Sequence, residues 1–450
     1  MSDRTDSPRS WWEGLTRAAF ASLEGSERLD LYYAGESTDF ARFNAGRVRQ
    51  AGAVEQHAVR LALSSRGRQA ASDIDLAGRL TTDEGRVRHE VAVLRALLPS
   101  LPEDPWLLLA EGEPDSVREV TGLADDPTDV LDLVVTSAPA NADVVGIYAA
   151  GTVRRAFASS TGQRNWHEVV SSHVDWSAHR RDARDRAVKK DLAGPSFDPA
   201  AFSRKAEEVV RELEVLGRPA HPVAPGRYRA WLGPAALHEW MQMLAWGGFG
   251  LRAQRTKQSP LQRMLEGEAR FAEQVQLEER VEGALAPAFQ GDGFARPGCV
   301  PLVTAGAPSG SLVSPRSSRE YGVPHTGASD AERPEALAMA GGVLAHDDVL
   351  RTLGTGLYVG NLWYLNFSDR GACRATGMTR FGTFWVEGGE IVAPVDTMRF
   401  DETAYHMLGD QLVAVGREVE TLADGSTYGA RSTDVWRLPG VLVDDYALTL

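Results

Sequence analysis

Cysteine is nearly absent from this chain. Its 450 residues hold two, Cys299 and Cys373, too few for a disulfide framework and suited to a reducing compartment. Long apolar runs are missing as well. The N-terminus, MSDRTDSPRSWW, has no apolar signal core, and no run approaches the ~18 apolar residues of a membrane span. These absences lead us to expect a soluble cytoplasmic protein that does not enter membranes. Basic charge is in deficit: the formal net charge is −14, which argues against non-specific binding to nucleic acid or to anionic lipid. There is no repeat of fixed period and no low-complexity tract. Nucleotide and serine-nucleophile signatures are lacking too. Gly354-Thr355-Gly356 has neither the Lys-Ser/Thr of a phosphate loop nor the rest of a dinucleotide fingerprint, and reads as a strand-entry turn. Ala307-Pro308-Ser309-Gly310-Ser311 is not a nucleophile elbow.

What remains is a chain of ordinary globular composition, 43% hydrophobic and 24% charged, long enough for two or more domains. Residues 1–9 read as a frayed tail. Ser10 and Glu13 have the spacing of a capping box opening a helix with Trp11, Leu15, Ala19 and Leu23 on one side. A strand follows over Asp30–Ala34, then a turn at Asn44-Ala45-Gly46, then an alternating strand with Glu55, His57, Val59, Leu61 and Leu63 on one face. Thr81 and Glu84 suggest a second capping box. Val87, Val91, Leu94 and Leu98 form the stripe of the helix it opens, which Pro99 ends. Residues 99–128, rich in Pro, Asp and Glu, read as loop. Val130–Val135 fits either a strand or a helix end. Val144–Ser159 reads as a hairpin turning near Gly151, with a further turn at Thr161-Gly162 and a strand over Glu168–Trp176. The charge run HRRDARDRAVKK, His179–Lys190, reads as a solvated helix face or a partner-docking face. Asp198-Pro199 opens a helix with Phe202, Ala206, Val209, Leu213 and Leu216 inward, closed by Gly217.

The segment Gly217–Arg227, GRPAHPVAPGR, reads as the main linker. We therefore expect an α+β protein. A tail and helix (1–27) precede an α/β sandwich-like N-terminal domain with an antiparallel sheet (28–217, in blocks of about 28–98 and 120–217). A large, mainly β C-terminal domain (227–450) completes it. Strands in this last part are expected over Tyr358–Asn366, Thr383–Val386, Glu390–Val395 and Val413–Glu420.

At the front of the C-terminal domain, Pro234 opens a helix and Gly247-Gly248 closes it. Leu237, Met241 and Leu244 recur at helical spacing. This helix carries His238-Glu239, the first two letters of a zinc-hydrolase HE motif. Zinc hydrolysis needs further neutral ligands and an acid to handle the water proton. Four residues on stands Gln242, and five on stands Met243, so the second histidine is missing. A two-residue match is common by chance, and an ordinary helix histidine is the bland alternative. Cys373 is either a thiolate ligand or a small packed residue. Cys299 has no partner at ligand spacing. The four tryptophans 240, 246, 363 and 385 read as core or interface aromatics.

Taken together, ESTDFARFNAGRVRQAGAVEQHAVRLAL, the HE helix with QSPLQRMLEGE, SLVSPRSSREYGVPHTGAS, RTLGTGLYVGNLWYLNFS, TRFGTFWVEGGEIVAPVDTMRFDETAYHMLG and LPGVLVDDYALTL resemble the TldD/TldE (PmbA) peptidase family. The resemblance spans about Asp30 to Leu450 and is weakest over 100–190. It implies two related subunits assembled around an enclosed cleft, one of them holding zinc through HExxxH and a distal cysteine, the other lacking those ligands, and substrates that are unfolded or small peptides. The motif's positions fall here on His238, Glu239 and Met243. A thioether is a poor zinc ligand. The resemblance is therefore closer to the subunit without metal, with no cofactor of its own and zinc in a TldD-like partner. His238 and Glu239 stand as remnants of the catalytic motif. If this chain holds a metal, His238 and Cys373 are its ligands, with His325, His346 or His406 as the third. A non-proteolytic homodimer is a further possibility.

Overall fold

A computed structural model describes residues 7–120, 126–137, 139–182, 186–425 and 429–450. Residues 1–6 of the expected tail lie outside the described residues, as do residues 183–185 of the charge run.

Helix α1 (Pro8–Phe20) starts one turn earlier than expected. Ser7, not Ser10, is the cap, and its Oγ accepts the N–H of Ser10. Pro8 explains the shift: its fixed φ and missing N–H suit the first helical position, so Ser10 falls inside the helix. Strands β1 (Arg28–Asn44), β2 (Arg47–Ser65) and β3 (Arg68–Asp75) form an antiparallel meander. The turn between β1 and β2 places Ala45 and Gly46 at φ 51° and 68°, as a tight hairpin twisted like its strands requires. His57, Val59, Leu61 and Leu63 are buried on one face of β2, as the alternation predicts. Helix α2 (Leu80–Leu97) buries Val87, Val91 and Leu94, and a 3-10 turn begins at Leu98, beside Pro99. The Thr81–Glu84 capping box does not form. Asp83, buried in the first turn, accepts the N–H groups of Ala77 and Arg79 and the Trp11 indole N–H.

The region expected as loop contains a strand, β4 (Ser116–Val120), and Val130–Val135 lies in a helix, α3 (Pro127–Thr136). The expected hairpin at Gly151 is instead one continuous strand, β5 (Ala142–Ser159), paired with β1 on one side and β6 (Arg164–Arg180) on the other. Gly151 marks a close approach rather than a turn. Its φ is 146°, and a Cβ there would lie 2.1 Å from the Ser37 carbonyl oxygen. The charge run is not helical where described: it ends β6 and begins β7 (Ala187–Gly194). Alternation along β7 turns Lys190 inward, where its ammonium meets Glu208 at 3.0 Å and Glu212 at 2.8 Å. Both acids lie on α4 (Pro199–Leu216), which is capped by Asp198 and closed by Gly217 as expected. These strands make one sheet in the order β3-β2-β1-β5-β6-β4, with β7 also on β6.

Two further sheets are built from residues 226–448. One is seven-stranded and centres on β8 (Gly226–Leu232), which lies between the strand Gly356–Asp369 (parallel) and the last strand, Val441–Leu448 (antiparallel). The other is six-stranded and made of short strands. The expected strands Tyr358–Asn366, Thr383–Val386 and Glu390–Val395 correspond to Gly356–Asp369, Arg374–Glu387 and Glu390–Pro394. The expected strand Val413–Glu420 is instead two, Leu412–Val415 and Glu420–Ala423, which belong to different sheets because the first pairs with Val441–Leu448 and the second with Val435–Leu438. The fold is α+β with mainly antiparallel sheets. No described helix is long and apolar enough to cross a membrane.

Gly151 gives a direct check on the strand register. Gly151→Ala should lower stability by about 3 kcal/mol or more, because backbone rather than a flexible side chain must yield. The urea midpoint followed by tryptophan fluorescence measures this, and an unshifted midpoint would refute the close approach of β1 and β5.

Candidate functional site

Helix α5 (Pro234–Ala245) follows β8 after a single residue, Gly233. Ala236, Leu237, Trp240, Met241 and Leu244 are all 0% exposed and face the largest core of the molecule. His238, Glu239 and Gln242 are half-buried on the other side. The helix is regular throughout, so five residues turn through about 500° and Met243 does not share the face of His238. Met243 is buried.

The polar face is bound together by three groups in series. Arg333 donates to Gln242 Oε1 at 2.6 Å. That bond orients the amide, so its NH2 faces His238 Nε2 at 3.1 Å. A donor facing Nε2 makes that nitrogen the acceptor, which assigns the ring proton to Nδ1 and leaves the imidazole neutral. Burial pushes the His238 pKa down to about 4, against the attraction of Asp424 and helped by Arg333 and Lys189. The Trp436 ring meets the His238 ring edge to face, with centroids 5.1 Å apart, and the Arg333 guanidinium lies 5.9 Å from the Trp436 ring. Burial raises the Glu239 carboxyl above its usual range, with Lys189 opposing. Asp434 is pushed up to about 7 by burial and Glu335, with Arg333 opposing.

Several of these groups come from distant parts of the chain. Lys189 reaches the site from β7, where it is also paired with Asp175 at 2.9 Å. Arg431, in the loop before the strand Val435–Leu438, crosses to the N-terminal sheet. It donates to Ser171 O at 3.1 Å and Ser171 Oγ at 2.7 Å, while its own N–H goes to Glu36 at 2.8 Å. The face bearing His238 is therefore set in a charged seam between the two halves.

The other sequence candidates lie elsewhere. Cys373 is 0% exposed in the C-terminal core, and burial pushes its thiol up to about 12, against the pull of Arg370. His325 lies 3.4 Å from Glu113. His406 lies 3.2 Å from Glu402 and 3.7 Å from Asp445. His346 begins a 3-10 turn beside Glu418, which accepts its backbone N–H. Among the described residues no three His, Cys, Asp or Glu side chains converge as metal ligands. Zinc does not fit the polar face of α5: the lone pair of His238 Nε2 is engaged by an amide, and the next group out is a guanidinium. Arg333, Trp436 and Asp434 are absent from the sequence reading because nothing local marks them. Lys189 fell inside the charge run there.

Comparison with known proteins places this architecture. Residues 225–449 match the PmbA/TldA metallopeptidase C-terminal domain, and the chain belongs to that family. Solved structures share the fold over nearly the whole chain. A candidate modulator of a DNA gyrase from Thermotoga maritima has a TM-score of 0.77 at 15% identity, covering 98% of this chain and 100% of that one. TldE from Thermococcus kodakarensis has a TM-score of 0.77 at 13% identity with the same coverage. A candidate modulator of DNA gyrase from Bacteroides thetaiotaomicron has a TM-score of 0.73 at 16% identity, covering 98% of each chain. No curated protein matches the chain by sequence.

The series Arg333–Gln242–His238 predicts a pH response. With the folded pKa of His238 near 4 and the ordinary value at 6.5, protonation favours the unfolded chain. The stability this ring contributes is present above about 6.5 and is lost as pH falls towards 4. Gln242→Glu replaces the donor by an anion and should raise the His238 pKa above about 6. Ring-proton NMR titration measures this; a variant that still titrates near 4 would rule out the Gln242 contact.

Proposed function

We propose that this chain is the subunit without metal of a two-subunit cytoplasmic metallopeptidase that degrades or matures unfolded or modified peptides. The observation that carries the reading is the engagement of His238 Nε2 by Gln242, itself held by Arg333. On a family scaffold matched over residues 225–449, a guanidinium and an amide stand beside the histidine on which a metal would depend. Arg333 would repel a divalent cation at that position. The chain then completes the cleft and holds the peptide backbone, and zinc belongs to a TldD-like partner bearing HExxxH. The β-rich C-terminal half suits capture of an extended peptide by strand addition.

Metal analysis and reconstitution test the reading. The purified chain should hold no stoichiometric zinc and cleave nothing, and mixing with a relative bearing HExxxH should produce peptidase activity. Zinc near one per chain, lost in His238→Ala, would instead make the chain a zinc peptidase in its own right. A homodimer that no such relative converts into a peptidase would make it a binding protein without proteolysis.

A further inference from the structure

Trp246 and Gly247, just past the last residue of helix α5, border a groove of about 1000 Å³. Trp246 is 63% exposed at its edge. Four cationic side chains, Arg252, Lys257, Arg263 and Arg370, line the groove with one carboxylate, Glu332. Glu332 is 2% exposed and fully engaged: it accepts the Arg252 N–H, the Ser314 N–H and the Ser314 hydroxyl. Its donors there are neutral N–H and O–H groups, so it forms no ion pair with the four cations, which outnumber it. Lys257 and Arg263 have exposed acids at 3.2 Å and 3.6 Å. Among the described residues no carboxylate lies within ion-pair distance of Arg252 or Arg370. Both guanidiniums are positioned by backbone carbonyls instead, Arg252 by Asp330 at 3.1 Å and Arg370 by Gln258 at 2.8 Å and by Trp246. Arg370 also lies over two rings, 5.3 Å from Trp246 and 4.9 Å from Phe367. A carbonyl fixes a guanidinium without neutralising it, which leaves a preorganised fork for an incoming carboxylate.

This cationic groove belongs to a chain of net charge −14. We propose that it binds an extended acidic peptide segment, whose carboxylates pair with Arg252 and Arg370 while an apolar side chain packs on Trp246. The chain itself links the groove to the site described above. Ala331 and Glu332 line it, and the next residue, Arg333, holds Gln242 on the polar face of α5. The proposal rests on the reading of the chain as a peptide-handling subunit and names the class of peptide it prefers.

Fluorescence anisotropy with labelled peptides of equal length tests it, using Glu–Leu, Gln–Leu and Lys–Leu repeats on the purified chain. The Glu–Leu peptide should bind about tenfold more tightly than the Gln–Leu peptide, the Lys–Leu peptide more weakly still, and salt should reduce the difference. Arg252→Glu, on an exposed side chain, should weaken Glu–Leu binding about fivefold or more, and Trp246→Ala should weaken it with circular dichroism unchanged. Equal binding of the three peptides, or an Arg252→Glu variant with unchanged affinity, would overturn the proposal. So would a Trp246→Ala variant that dissociates a homodimer without affecting peptide, which would make this face a contact between copies. Acidic-peptide binding without activity on adding a partner would leave the groove standing and remove the peptidase reading. Activity restored equally by Arg252→Glu on acidic peptides would do the reverse.

Discussion

Leu237, Trp240, Met241 and Leu244 leave water together on one side of α5, and this burial sets the rotation of the helix about its axis. Each such side chain contributes roughly 1.5–3 kcal/mol, so a rotation exposing them is strongly disfavoured. The polar face is then determined as the remainder. His238, Glu239 and Gln242 look into the seam between the halves, and Met243 is carried inward. The chemistry available to this helix follows from its apolar residues as much as from its polar ones.

The seam itself is held by charge and hydrogen bonding. Lys190 of β7 is enclosed by Glu208 and Glu212 of α4, and Lys205 of the same helix pairs with Glu420 from the C-terminal half. Arg431 brings a C-terminal loop onto β6, and its backbone N–H is taken by Glu36 of β1. Such contacts tolerate little misplacement, because an unpaired buried charge costs several kcal/mol. They hold Lys189 at a fixed place beside α5, where it acts on both His238 and Glu239. The electrostatics of the site are thus a joint property of both halves.

Arginine is used here in two distinct ways. Arg333 makes a single hydrogen bond to an amide and thereby settles which nitrogen of His238 carries the proton. Arg252 and Arg370 are steadied by carbonyl oxygens and have no carboxylate at ion-pair distance among the described residues. A planar guanidinium serves both ends because its several donors can be divided between holding position and meeting a ligand.

Local sequence was sufficient wherever one residue settles a local conformation. Asp198 and Gly217 bound α4, Asn44-Ala45-Gly46 makes the first hairpin, Pro234 starts α5, and alternation marks the inner face of β2. Each depends on steric limits or hydrogen bonds within a few residues. The family was legible from the order of short blocks along the chain. Local signals misled where partners lie far off. Gly151 reads as a turn until β1 is laid beside it, the charge run reads as a helix until β6 and α4 supply pairs for its lysines, and Ser10 reads as a cap until Pro8 takes the first helical position. The HE pair on α5 was visible in sequence, whereas the charged neighbours that act on its protonation come from residues 189, 333 and 424. Only folding brings those groups within range of one imidazole, since burial and Coulomb interaction depend on distance through space and not along the chain.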